Sequence, residues 1–364
     1  MHLRSLTFML RLAYFALVLV LIAACTATPT PNPTPTSIPT STPNPTPTLE
    51  PEVDAFTMNL RLAKTINLGN ALEAPNEGEW GVTLREEFFQ LIKAEGFTAV
   101  RLPVRWSAHA LKTVPYTIAP EFFNRIDWAV EQALTNNLAI VVNMHHFEEM
   151  ALDPEGNQAR FIALWQQIAE HYQAFPNALL FEPMNEPNGA LGAKHWNDLV
   201  AAVLPVIRTT NPTRTIVIGP AEWNAMRALD ELTLPAADQH IIVTFHYYNP
   251  SQFTHQGAEW VPGSESWLGT KWGSNAEQQM VRYDFDLVKQ WADDNKRPIF
   301  LGEFGAYSKA DMDSRARWTA FVARAAEARS FSWGNWEFCS GFGVYDSAAH
   351  QWREPLVQAL LPPQ

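Results

Sequence analysis

Eight short apolar runs recur between residues 65 and 337, and most are followed by a helical pattern. They occupy residues 65–70, 98–102, 138–144, 179–184, 215–219, 241–245, 298–303 and 331–337. Strands buried on both faces read as near-continuous apolar runs, because a parallel sheet is covered on both sides. Amphipathic segments lie between them, at about 121–135, 158–172, 194–208, 277–293 and 311–328. Thr83-Leu-Arg-Glu86 has the spacing of a capping box and predicts the start of another helix. Eight alternating units over about 310 residues predict an α/β fold, a TIM (β/α)8 barrel. A doubly wound open sheet is the runner-up. The barrel is preferred because polar residues stand at the ends of nearly all the strands, not at one switch point.

Two of these ends set the chemistry. Leu179-Leu-Phe-Glu-Pro-Met-Asn-Glu-Pro187 reads as a buried strand that Pro187 stops, leaving Glu186 at its carboxyl end. Pro298-Ile-Phe-Leu-Gly-Glu303 places a second carboxylate at the end of another. Two carboxylates so placed are the minimum equipment for cleaving a glycosidic bond. The other ends offer Asn70 with Glu73, Arg101, His145 with His146, Asn185, His246 with Tyr248, and Trp336.

The flanks have a different character. Residues 1–25 carry Arg4 and Arg11 before an apolar stretch too short to span a bilayer comfortably, and end Leu21-Ile-Ala-Ala-Cys25. This end resembles a bacterial lipobox, which implies a lipoprotein signal with Cys25 as the lipidated residue. The protein is then extracellular and lipid-anchored at the cell surface, or simply secreted if Cys25 is incidental. Residues 26–52 are almost entirely Thr, Pro, Asn and Ser and predict an extended, semi-rigid linker. Residues 53–364 form the predicted catalytic domain.

Charge and composition narrow the partners. The net charge of −12 opposes nucleic-acid binding, which needs a basic footprint. The 14 tryptophans predict aromatic rings along a surface groove as well as in the core. The second cysteine, Cys339, reads as a buried free thiol. No Cys/His cluster suggests zinc. A metal-dependent barrel using His145, His146 and His246 would need a histidine at strand one, where Asn70 stands.

The strand-end set Arg101, His145, Asn185-Glu186-Pro187, His246-Tyr247-Tyr248, Gly302-Glu303-Phe304-Gly305 and Trp336 resembles glycoside hydrolase family 5. Residues 67–80, 253–260 and 300–315 resemble its thermophile-type cellulase and mannanase subgroup. That resemblance implies a retaining endo-acting β-1,4-glycanase, taking cellulose, mixed-linkage glucan or glucomannan, and mannan in addition. It implies Glu186 as acid and base and Glu303 as nucleophile. Asn70, Glu73, Arg101, His145, His146, Asn185, His246, Tyr248, His255, Trp260 and Trp336 become the substrate-binding set. No cofactor or metal is implied, the partner is a β-linked polysaccharide or oligosaccharide, and a monomer is expected. Two departures from the subgroup are Glu182-Pro183-Met184, with a proline late in a strand, and the loop 262–271. A catalytically idle polysaccharide-binding lipoprotein is the alternative.

Overall fold

The computed structural model describes residues 52–363. The lipobox, Cys25 and nearly all of the linker lie outside the described residues. Eight parallel strands close into a barrel in sequence order: β1 (Lys64–Asn67), β2 (Ala99–Leu102), β3 (Ala139–Asn143), β4 (Leu179–Glu182), β5 (Ile216–Ile218), β6 (Ile241–His246), β7 (Ile299–Phe304) and β8 (Ser332–Asn335). β1 meets β8 with Thr65 opposite Gly334. Each predicted run overlaps one strand: β1 starts one residue before its run, β6 and β7 end one residue after theirs, and the other five lie within theirs. Pro183 lies just past β4, so it removes no ladder bond; its carbonyl accepts from Trp165 Nε1 at 2.9 Å.

Helices follow seven of the strands. The exception is β5, which is followed by a short 3-10 turn at Met226–Glu231. The preceding residues explain why no helix starts there. Glu222, Trp223 and Asn224 all have φ near +57°, a left-handed turn that cannot lead into an ordinary helix. The capping-box expectation at Thr83 fails as well. The helix begins at Glu86 with no side-chain cap, and its approach is held by Glu77, which accepts from Leu84 N at 2.8 Å and pairs with Arg125. A true capping box joins Ser274 and Glu277 at the start of Asn275–Asn295.

The barrel interior is layered by the two-residue period of its strands. Ala99, Ala139, Val141, Leu180, Val217, Ile242 and Phe300 form an apolar lower plug, closed from below by Ala55, Met58 and Leu62. The alternate residues, such as Val100, Ile140, Val142 and Phe181, pack outward on the helices. Two positions further along β2, β3, β4 and β6 the interior turns polar. Arg101 follows Ala99, Asn143 follows Val141, Glu182 follows Leu180, and Thr244 and His246 follow Ile242. The floor of the site is this upper layer.

Candidate active site

Glu303 breaks the alternation. With Phe300 facing inward, regular period-two pairing would turn residue 303 outward. The register instead shifts, so that Phe245 pairs Leu301 while His246 pairs Glu303. This bulge returns Glu303 to the interior. Gly302 permits it, since a Cβ there would come within 2.5 Å of Thr244 Oγ1. Glu186 also sits on unusual backbone, at φ 47°, in the bend just past β4.

Arg101 is the centre of the polar layer and is fully buried. A guanidinium has five N–H donors, and all five are used. Nε donates to Glu182 Oε2 at 2.6 Å and Nη2 to Glu182 Oε1 at 2.8 Å. Nη2 also donates to Asn185 Oδ1 at 2.6 Å. Nη1 donates to Asn67 Oδ1 and to Glu303 Oε1, both at 2.8 Å. Asn67 in turn donates to the carbonyls of Gly302 and Asn335, tying β1 to β7 and β8.

The two carboxylates have different surroundings. Glu303 Oε2 accepts from the Tyr248 hydroxyl at 2.9 Å, with His246 Nδ1 at 3.6 Å. Burial and the nearby Glu186 raise its pKa, and the rise persists although Arg101 and the Tyr248 hydrogen bond oppose it. Glu186 Oε1 lies 2.7 Å from His246 Nδ1. Burial pushes Glu186 up to about 7; Arg101 lowers it and Glu182 raises it further. Glu186, raised to near neutrality, suits the proton-carrying role, and Glu303, which accepts from Arg101 and Tyr248, has the donors that favour an ionised carboxylate, the division of labour that acid–base chemistry at a sugar requires.

The histidines are held neutral. Burial drives His246 down to about 4 and His145 well below its usual range. Asn143 Oδ1 accepts from Val104 N, which turns its amide N–H toward His145 Nδ1 at 3.1 Å. His145 therefore carries its proton on Nε2. Its ring stacks on Trp336 at 5.4 Å and 11°. Trp336 lies so close to Gly69 that a Cβ there would meet the indole at 2.8 Å. His146 packs edge-on to His145 and to Trp80.

His255 stands 5.0 Å from the Tyr248 ring and 5.7 Å from Phe342. Trp260, 57% exposed, packs on Tyr307 and Phe342. The loop 262–271 beside them is pinned by Gln256, which bonds Thr270 O and Gly269 N. Asn70 is in the left-handed region, and the buried Glu73 accepts its amide N–H and, at 3.0 Å, that of Ala71. In this arrangement Glu73 supports the Asn70 turn. Trp223, also exposed, joins His145, His146 and Glu186 around one part of the cleft.

Several residues of the site, Trp223 among them, went unread in the sequence. Glu182, taken there as a departure, is the bidentate partner of Arg101. Asn67 and Asn143 are inward-facing, and their signal was the same two-residue step. Asn224 contacts His246 Nε2 at 3.3 Å, and nothing local to it marks that contact. Glu337, just after β8, is buried and accepts from the amides of Cys339, Ser340 and Phe342, which folds the loop beneath Trp260. Cys339 is half-buried, not buried, and burial with Glu337 pushes its thiol up to about 12. Glu186, His246 and Glu303 also place one potential metal-ligand atom each within 4.8 Å of one another. The cationic position beside Glu303 is taken by Arg101, and His246 Nδ1 faces Glu186.

Comparison with known proteins agrees with this geometry. The cellulase model of glycosyl hydrolase family 5 matches residues 61–341. Endoglucanase H of Acetivibrio thermocellus is 38% identical over 317 residues, covering 85% of this chain and 34% of that protein. The chain thus spans about a third of that relative's length. Endoglucanase B of Clostridium cellulovorans is 28% identical over 319 residues, covering 80% of this chain and 71% of that protein. A structure of Thermotoga maritima Cel5A with cellobiose is 52% identical, with a TM-score of 0.84 over 85% of this chain and 100% of that one. Its complex with mannotriose is 51% identical, with a TM-score of 0.83 over the same shares. With the family match spanning most of the barrel and a solved structure at 52% identity overlying it, the chain belongs to glycosyl hydrolase family 5.

Proposed function

We propose that the protein is a retaining, endo-acting β-1,4-glucanase that also accepts mannan. The observation that carries this reading is the carboxyl pair: an oxygen of Glu186 and an oxygen of Glu303 lie within 4.8 Å of each other. Direct attack by one carboxylate needs about 5 to 5.5 Å between the groups, whereas an intervening water needs about 6.5 Å or more. Glu303 attacks the anomeric carbon as Glu186 gives its proton to the departing oxygen. Glu186, now ionised, then takes a proton from the water that releases the sugar. Asn185, oriented by Arg101, meets the neighbouring sugar hydroxyl, and Trp336 forms the floor under the ring. Exposed Trp80, Trp223 and Trp260 suit a groove that takes a polymer along its length.

An idle binding protein has no use for a protonated carboxyl beside an ionised one, and this pairing favours the enzyme. The test is hydrolysis of carboxymethylcellulose, mixed-linkage glucan, glucomannan and mannan, with NMR of the first anomer released. Internal cleavage with β-product first is expected; α-product first would overturn the retaining mechanism. Glu73→Ala, through the Asn70 turn, is expected to change the ratio of glucan to mannan rates. An unchanged ratio would remove Glu73 from polymer selection.

Surface anchoring belongs to the same proposal and is supported by the Leu21–Cys25 sequence. Cys25→Ala should move the protein from the membrane to the soluble fraction, and a variant that stays on the membrane would remove the lipid anchor.

A further inference from the structure

We infer that Glu182 is a positioning residue for the glycosidase chemistry: through its two bonds to Arg101 it is the standing counter-ion of the site while negative charge moves from Glu303 to Glu186. The inference rests on the proposed double displacement. Glu182 and Arg101 are both fully buried, on β4 and β2, the two strands that flank β3, and their side chains meet in the barrel's upper layer. Their fork-to-fork geometry fixes the guanidinium plane. With that plane fixed, one N–H of Nη1 points at Glu303 and one of Nη2 at Asn185.

The need for a second anion appears when the charges are followed through the first step. Glu303 Oε attacks, the bond from the anomeric carbon to the departing oxygen breaks, and the Glu186 proton goes to that oxygen. Glu303 becomes a neutral ester and Glu186 becomes a carboxylate. Arg101 has then lost the ionised partner it touched. A buried cation left without a counter-ion is strongly unfavourable. Glu182 does not take part in the bond changes, so Arg101 stays paired throughout. The same carboxylate acts on Glu186 in the resting enzyme, as a nearby negative charge that favours its protonated form.

The charged and titratable groups around Glu186 are Arg101 from β2, His145, His146 and Glu148 after β3, Glu182 from β4, His246 and Tyr248 at the end of β6, and Glu303 from β7. Replacing Glu182 with glutamine removes one negative charge from this set and leaves the others. It also puts an amide N–H against an Arg101 donor.

The experiment compares Glu182→Gln and Glu182→Asp on a soluble cellooligosaccharide across pH, with circular dichroism as the check on folding. E182Q should lose about 100-fold in kcat/KM, and its alkaline limb should move down by about one pH unit, the size of a single nearby-charge effect. E182D keeps the charge on a shorter arm. It should lose kcat while its alkaline limb stays with the wild type. Equal losses in both variants with unmoved limbs would reduce Glu182 to a packing role and overturn the inference. So would wild-type kinetics in E182Q. If E182Q does not fold, E182D decides alone: a limb that moves although the charge is kept overturns the proposal. Glu303→Ala, assayed alongside, separates the two levels, since its full activity would remove the double displacement whatever Glu182 does.

Discussion

Glu303→Ala is expected to lower kcat on β-1,4-glucan by on the order of 10⁵-fold, the scale seen when a covalent nucleophile is removed. The fold should survive, because the lower barrel is packed by Val141, Leu180, Ile242 and Phe300 and does not depend on Glu303. The variant leaves a small space beside Arg101 and Tyr248, on the face from which attack comes. Azide can enter it. Added azide should restore turnover of an activated aryl cellobioside and yield the α-glycosyl azide. Recovery without azide, or a β-azide product, would place the nucleophile elsewhere.

Glu186→Ala is expected to lower kcat on polysaccharide by about 10³- to 10⁴-fold, near the upper end for general acid catalysis. A substrate with an acidic phenol leaves without a proton, so its first step should be far less affected. The pH dependence gives an independent reading. Glu186 is raised to about 7, so its proton is present below that pH and is lost as pH rises through it. Wild-type kcat/KM on cellooligosaccharide should therefore fall through about pH 7. With the aryl substrate the variant should show no such fall. An alkaline limb near 7 that persists in Glu186→Ala would assign the titration to another group.

Much of this machinery was legible because strands repeat every two residues and helices every 3.6. The eight runs gave eight strands, and the polar residues at their ends gave Arg101, His145, Asn185, Glu186, His246, Tyr248 and Trp336. What the periodicities could not supply is contact between distant strands. Glu182 looked like an irregularity in an apolar run. Its reason is Arg101, which the closed barrel places opposite it. Glu303 was placed correctly at a strand end, yet its inward direction depends on a register shift between β6 and β7 that no local pattern marks. No helix follows β5 because three successive residues there, Glu222, Trp223 and Asn224, have left-handed backbone. The Thr83 cap failed because Glu77 and Arg125 hold that turn from a distance.

The left-handed turn at Glu222, Trp223 and Asn224 limits how this enzyme can diversify. Each L-residue there adopts a backbone that costs about 1–2 kcal/mol against the right-handed form. Isoleucine, valine and threonine are least compatible with it. Two anchors hold the turn, Trp223 N on the Pro187 carbonyl and the Asn224 amide at His246. A lineage adapting this side of the groove to new polymers must therefore draw on a short alphabet of tolerant residues. The rim built on Trp260 and the loop 262–271 places its left-handed backbone on glycines instead, at Gly263 and Gly269.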